Sequence, residues 1–367
     1  FNALATAYFL KIKNNDVKIL FERSIKGVLG SVIIENENFD LGYQFFDGLD
    51  KESEKFIRNM FENEDLYDFK YGASTFSNNL FYSDHAIPYW PSYGKIFVVK
   101  AFIYYLFTFL KSFFIKDEVK VNNLSDLCKK MPPNIRYFMS RGCEKHFQIK
   151  PEELDAAASD MGTYINVRQT LFNDKVSNFL KKNSTFFDKH LASRRKTNII
   201  LDNISLYPKG KNMEFVTDKL IERLKNKGVI FEKSNFDEIK LIPSQHHLKF
   251  NEEKFDKAII TTSLGNTQRV LKINKEKSYE HYISQVFVYF AVDRVNFKFQ
   301  YTQVNDAKLF CSRISNCSLY SKKTKEHNHI LIAEIPLTAN NKIWDDDDKL
   351  KDIAWNEIIK CGIVESG

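Results

Sequence analysis

The chain has 367 residues, 43% hydrophobic and 28% charged, with 33 Phe and 17 Tyr; this composition supplies a core for two or three structural units and excludes a disordered, collagen-like or fibrous polypeptide. Its 54 Lys and Arg against 47 Asp and Glu give a formal charge of +7, but the basic residues are dispersed. The longest runs, Arg194-Arg195-Lys196 and Lys322-Lys323, read as solvated faces, so nucleic acid is not an expected partner.

Ala3 to Lys11 is rich in helix formers, Asn14-Asn15-Asp16 is a turn, and Val17 to Phe21 reads as a buried strand. Gly27, Gly30, Gly42 and Gly48 then punctuate an apolar stretch, as in loops packed closely against another group. Residues 50–200 read as a largely helical, Phe-rich and Lys-rich insertion, punctuated by Pro88, Pro91 and Pro132-Pro133. Within it, Ile96 to Ile115 is almost continuously apolar but carries Lys100 and Lys111. It reads as a buried or amphipathic helix of a substrate domain, a helix lying on a membrane surface, or a span.

After the turn Pro208-Lys209-Gly210, Met213 to Lys227 is an amphipathic helix with Val216, Leu220 and Leu224 on one face and Gly228 as its cap. Val229-Ile230-Phe231 starts a strand, and Phe255 to Thr262 forms another. Further strands are expected at Gln285 to Val292, Lys308 to Ile314 and Ile330 to Ile335. A closing helix around Asp348 to Lys360 follows the acidic run Asp345 to Asp348, which suits a helix N-terminus. Five Cys without CxxC spacing or nearby His speak for reduced thiols in a cytoplasmic setting and against zinc, and the adjacent pair His246-His247 cannot easily face one metal.

A dinucleotide-binding unit needs a strand, a glycine-rich turn, a helix whose N-terminus meets the pyrophosphate, and a second strand ending in an acid. Ala3 stands at the third position of G-x-G-x-x-G/A, and Glu22 ends the next strand at close to the ~20-residue separation that geometry demands. The first strand and first two glycines are expected upstream of Phe1.

Glu22, Gly27, Gly30, Phe39-Asp40-Leu41-Gly42, Pro208 to Met213, Gly228-Val229 and Phe255 to Thr262, in this order, resemble the flavin-dependent amine oxidase and protoporphyrinogen oxidase superfamily, which also contains UDP-galactopyranose mutase-like proteins. Lys308 to Tyr320, Ile330 to Pro336 and Ile343-Trp344 extend the resemblance, whereas residues 49–200 carry no recognised motif. The resemblance implies an α/β fold: a Rossmann-like FAD-binding domain from discontinuous segments (1–65 and 201–270), a mainly helical substrate or cap region (66–200), a substrate-domain sheet (271–345) and a closing helix (346–367).

It implies FAD as cofactor. Asn2, Ala3 and Leu4 would bring the helix N-terminus to the pyrophosphate, and Glu22, with Arg23 beside it, would bind the adenosine ribose. Gly30 and Ser31 would lie beside the flavin, with Gly42, Tyr43 and Gln44 on its ring side. Phe236 and Asp237 would meet the adenine, and Thr262 and Ser263 would close over the cofactor. The family's C-terminal flavin motif is expected beyond Gly367. Arg313 and Asn316 are the candidate catalytic residues, an arginine on the sheet suiting an anionic small-molecule substrate such as a carboxylate or sugar nucleotide. His146 is an acid or base candidate against a structural role, and Cys311 and Cys317 read as packing residues.

The activity implied is FAD-dependent oxidation, with hydride passing from an organic substrate to flavin N5. The alternatives are a sugar-nucleotide isomerase resembling UDP-galactopyranose mutase, a membrane-surface enzyme like protoporphyrinogen oxidase anchored through residues 96–115, and a truncated flavin-fold protein without catalysis.

Overall fold

The computed structural model describes the chain apart from residues 35–36, 48, 62–64, 70–71, 78, 83–89, 115–120, 161–167, 193–204, 240–241, 244–247, 251–252, 273–282, 297–298, 322–328, 339 and 366–367. Gly48, Pro88, Ile115, the pair His246-His247 and the two basic runs lie outside the described residues. Two compact units emerge: one from Phe1–Gln44, Asp50–Tyr67 and Tyr207–His281, the other from Phe45–Leu49, Asp68–Leu206 and Tyr282–Gly367.

In chain order the first elements are α1 (Asn2–Ile12), β1 (Lys18–Phe21), β2 (Ser31–Ile34), β3 (Glu37–Asp40), α2 (Lys51–Met60), β4 (Leu66–Phe69), β5 (Ala73–Ser77) and β6 (Leu80–Tyr82). The helices α3 (Lys95–Ser112), α4 (Leu124–Lys129), α5 (Pro133–Phe147), α6 (Asp174–Asn183) and α7 (Thr185–His190) follow. Next come β7 (Ser205–Pro208), α8 (Glu214–Asn226), β8 (Ile230–Lys233), β9 (Ile242–Pro243), β10 (Leu248–Phe250), β11 (Glu253–Phe255) and α9 (Leu264–Leu271). The chain closes with β12 (Ile283–Val292), β13 (Tyr301–Val304), β14 (Arg313–Asn316), α10 (Ser318–Ser321), β15 (His329–Thr338) and α11 (Asp347–Lys360).

In the first unit β1 pairs in parallel with β8, Lys18 opposite Ile230 and Phe21 opposite Lys233. Parallel neighbours require a crossover, and α1 and α8 pack on one another beside this pair. The packed stripes are Leu4 and Ala7 on α1 and Val216, Leu220 and Leu224 on α8, the latter at the i, i+4, i+8 spacing of one helix face. Gly228 ends α8 at φ 76°, where a side chain would be strained, and its amide donates to the Lys225 carbonyl. The buried Asp40 carboxylate accepts from the Met213 amide at 2.7 Å and from the Tyr207 hydroxyl, which pins the start of α8 to the end of β3.

The second unit is built on a six-stranded sheet ordered β12-β15-β14-β13-β5-β6, antiparallel except for the β13–β5 pair. β15 is buried from Leu331 to Leu337 because β12 and β14 flank it and α11 covers one face with Leu350, Ala354 and Ile358. Helices α3 to α7 carry a separate aromatic core in which Trp90 Nε1 donates to Gln169 Oε1 at 2.5 Å. All five cysteines are buried and none is in a disulfide.

Three expectations are corrected. Leu66–Phe69, Ala73–Ser77 and Leu80–Tyr82, expected within the mainly helical region, form the strands β4, β5 and β6; the fully buried β5 is placed by its parallel partner β13, more than two hundred positions away in the chain. The strand expected at Lys308 to Ile314 starts only at Arg313, because the Phe310 and Cys311 amides donate to the Glu357 carboxylate, each at 2.7 Å, rather than to a neighbouring strand. The strand expected at Phe255 to Thr262 covers only Glu253–Phe255; Ser263 instead caps α9 through the Asn266 amide.

Candidate functional site

Two groups of polar side chains stand out, one in each unit. In the first, Glu22 directly follows β1 at its carboxyl end, the end at which open α/β sheets bind ligands. Its Oε1 accepts the Phe236 amide at 3.1 Å, so the segment after β8 is tied to the acid that follows β1. Arg269 of α9 grips the same carboxylate with two nitrogens, at 3.0 and 3.2 Å, and grips Asp237 with Nε and Nη2 at 2.8 and 2.6 Å. Both carboxyl groups are held below their ordinary range, chiefly by the Arg269 hydrogen bonds, and the guanidinium is raised above its own. Sequence reading selected Glu22, Phe236 and Asp237 but missed Arg269, since nothing local marks an arginine whose partner lies 247 residues away.

Asn2, Ala3 and Leu4 form the first turn of α1, with Leu4 fully buried. Arg23 is exposed beside Glu22. Gly30 immediately precedes β2, which opens at Ser31; the Ser31 hydroxyl bonds to Glu214 of α8, and Lys26 pairs with the same carboxylate. A Cβ on Gly30 would sit 3.2 Å from the Gly27 carbonyl oxygen, so that loop is closed tightly on itself.

Gly42 is buried at φ 77°, and Tyr43 and Gln44 follow it. The Gln44 amide donates to the Val28 and Leu41 carbonyls, both at 2.6 Å, while its Oε1 is buried with no partner among the described residues. A buried acceptor without a donor is costly unless a ligand or water supplies one. Thr262 and Ser263 stand at the start of α9, their hydroxyls bonded to Asn266.

In the second unit, strand register sorts the sheet into two faces. Thr75, Gln303, Arg313, Glu334 and Phe287 lie in one row and Ala73, Tyr301, Ser315, Ile332 and Tyr289 in the next. This face is polar and aromatic; the other carries Ile314, Ala333 and Ile335 into the core under α11. Arg313 therefore lies on the polar face and Asn316, by alternation, on the core face, where it is fully buried with Nδ2 3.2 Å from His329 Nδ1. The structure separates the two candidates.

Arg313 Nη2 donates to Glu334 Oε2 at 2.7 Å, and Gln285 Nε2 donates to the same oxygen at 2.8 Å. The guanidinium sits 6.0 Å from the Tyr301 ring centroid. His146, on the last turn of α5, is pushed below its ordinary range first by burial and then by the Arg313 charge. Among the described residues no cluster of His, Cys, Asp or Glu fits a metal ion.

No protein-family model matches the sequence, and no curated protein matches it. Solved structures do. The chain resembles reduced UDP-galactopyranose mutase with a TM-score of 0.64 and 12% identity over 99% of this chain and 76% of that one. It resembles a candidate protoporphyrinogen oxidase from Exiguobacterium sp. 255-15 with a TM-score of 0.62 and 12% identity, covering 99% of this chain and 81% of that one. For an oxidoreductase from Methanosarcina mazei the TM-score is 0.56 and the identity 9%, over 98% of this chain and 82% of that one. The fold is thus the one implied by the residues that resemble the flavin amine oxidase-like superfamily.

Proposed function

We propose that the protein is an FAD-dependent oxidoreductase acting on an anionic organic small molecule. The observation that carries this reading is the placement of Glu22: after a strand of a parallel pair, preceded by a helix, with its carboxylate bonded to the amide of Phe236. A carboxylate offers about four acceptor positions. The amide and the two Arg269 nitrogens occupy three of them, which leaves room on Oε2 for a ribose hydroxyl. Gln44 Oε1 supplies a second fit, a buried acceptor suited to a cofactor N–H or O–H donor. Glu22 and the first turn of α1 would hold the adenosine and pyrophosphate, and Gly42 to Gln44 the flavin end.

When bound, FAD supplies two-electron chemistry, accepting a hydride at N5. Arg313, braced by Glu334 on the polar face of the sheet, would attract a carboxylate or phosphate of the substrate by its charge and orient it. Burial and the Arg313 charge push His146 below its ordinary range and so favour its neutral form, the form in which it would act as a base toward a substrate held by Arg313.

Glu22→Gln is expected to lower FAD retention by about tenfold or more, because a charge-assisted acceptor is lost. The measurement is the visible flavin absorbance of the purified full-length protein before and after dialysis, with thermal unfolding as the control for folding. Equal FAD retention in the variant, or no FAD uptake by the unaltered protein, would overturn the reading. The likeness to reduced UDP-galactopyranose mutase favours a second reading, sugar-nucleotide isomerisation. It requires turnover only after prior reduction, whereas an oxidoreductase consumes its electron acceptor stoichiometrically.

A further inference from the structure

Among the described residues no helix is long and apolar enough to cross a membrane. The most apolar of the described helices, α3, nevertheless exposes several large apolar side chains. One side is packed: Ala101 and Tyr105 are buried, Phe102 stacks on the Phe187 ring of α7, and Phe109 lies tilted against the same ring. On the other side Ile96, Val99, Ile103, Phe107 and Leu110, and Phe114 just past the helix end, are each at least half exposed. Their spacing of three and four residues places them in one continuous stripe about 27 Å long, the length of an 18-residue helix. Isolated exposed apolar side chains need no explanation, but a contiguous stripe of this size marks an interaction surface.

Charge identifies what the stripe contacts. From Lys95 to Ser112 the helix contains three lysines and no Asp or Glu. At about 100° per residue, Lys100 and Lys111 fall along one border of the stripe and Lys95 along the other, and all three are exposed. An apolar stripe edged by lysines is the pattern of a helix lying in the plane of a bilayer, its apolar side chains among the acyl chains and its ammonium groups at anionic headgroups. A second copy of the chain would bring the same lysines towards one another with no acidic residue on the helix to answer them.

We propose that the exposed face of α3 docks the protein onto an anionic lipid surface without crossing it. The test is flotation of the full-length protein with phosphatidylcholine vesicles containing phosphatidylglycerol, compared with phosphatidylcholine alone. The expected result is flotation with the anionic vesicles. Lys95→Gln and Lys100→Gln should each lower the partition coefficient roughly fivefold. The double variant Ile103→Glu/Phe107→Glu should abolish flotation while leaving thermal unfolding unchanged, since both side chains are exposed. Three results would each overturn the proposal: no flotation with anionic vesicles, flotation that survives the double glutamate variant, or a dimer in sedimentation velocity that this variant converts to a monomer. The last would assign the face to a second copy of the chain.

Discussion

Arg313→Ala is expected to destabilise the protein by about 3 kcal/mol, the lower end of the range for removing one partner of a buried ion pair. Glu334, only 1% exposed, would lose its Arg313 partner in the sheet while the Gln285 amide still donates to it. Arg313 itself is about a third exposed, which sets the effect at the low end. Removing both charges with Arg313→Gln/Glu334→Gln should recover most of the loss, and a double-mutant cycle by urea denaturation measures the coupling. A single-variant cost under about 1 kcal/mol would show that the pair behaves as an exposed one and contributes little to the fold. This expectation also governs activity measurements: the charge-neutral double variant, not Arg313→Ala alone, reports what the guanidinium does for the substrate.

Lys145→Met is expected to cost roughly 2–5 kcal/mol at neutral pH and to remove a pH dependence. The Lys145 ammonium is buried at the end of α5, donating to the carbonyls of Val304 at 3.0 Å, Asp306 at 3.1 Å and Cys311. Losing three charge-assisted bonds outweighs the relief of a desolvated charge. Burial lowers its pKa from 10.5 to about 8. Between those values the unfolded chain holds a proton that the folded protein has released, so this group makes stability rise with pH across the window, by about 3 kcal/mol in all.

The neighbouring thiols act in the opposite sense. Burial pushes Cys361 up to about 12 and Cys311 well above its ordinary value, so the folded protein keeps thiol protons that the unfolded chain loses above about 9. The observable is therefore the difference between the unaltered protein and Lys145→Met in denaturation midpoint across this range. A constant difference at every pH would show that Lys145 is not desolvated.

Much of the framework was legible because it is written in local periodicity. The helix expected at Met213 to Lys227 forms over Glu214–Asn226, and the closing helix expected from Asp348 forms over Asp347–Lys360; both place apolar side chains four residues apart. The apolar run at Ile330 to Ile335 forms the core of β15. Glu22 was legible too, since helix, turn, strand and acid are consecutive in the chain. By contrast β5 reads Ala-Ser-Thr-Phe-Ser, with no apolar alternation to declare a strand, and depends on β13 for its pairing.

The sequence alone therefore determined which segments would bury apolar surface and which acid would stand at the carboxyl end of the first strand, because helix and strand periods act over a few residues. Only the tertiary structure decided that Arg269 bridges Glu22 and Asp237, that Glu334 braces Arg313, and that Asn316 turns to the other face of the sheet. It also decided which half of α3 is packed and which is left exposed. The reason is physical: an ion pair, a buried ammonium and an exposed apolar face are each defined by groups that the folded chain brings together or leaves apart, and separation along the chain carries no record of that proximity.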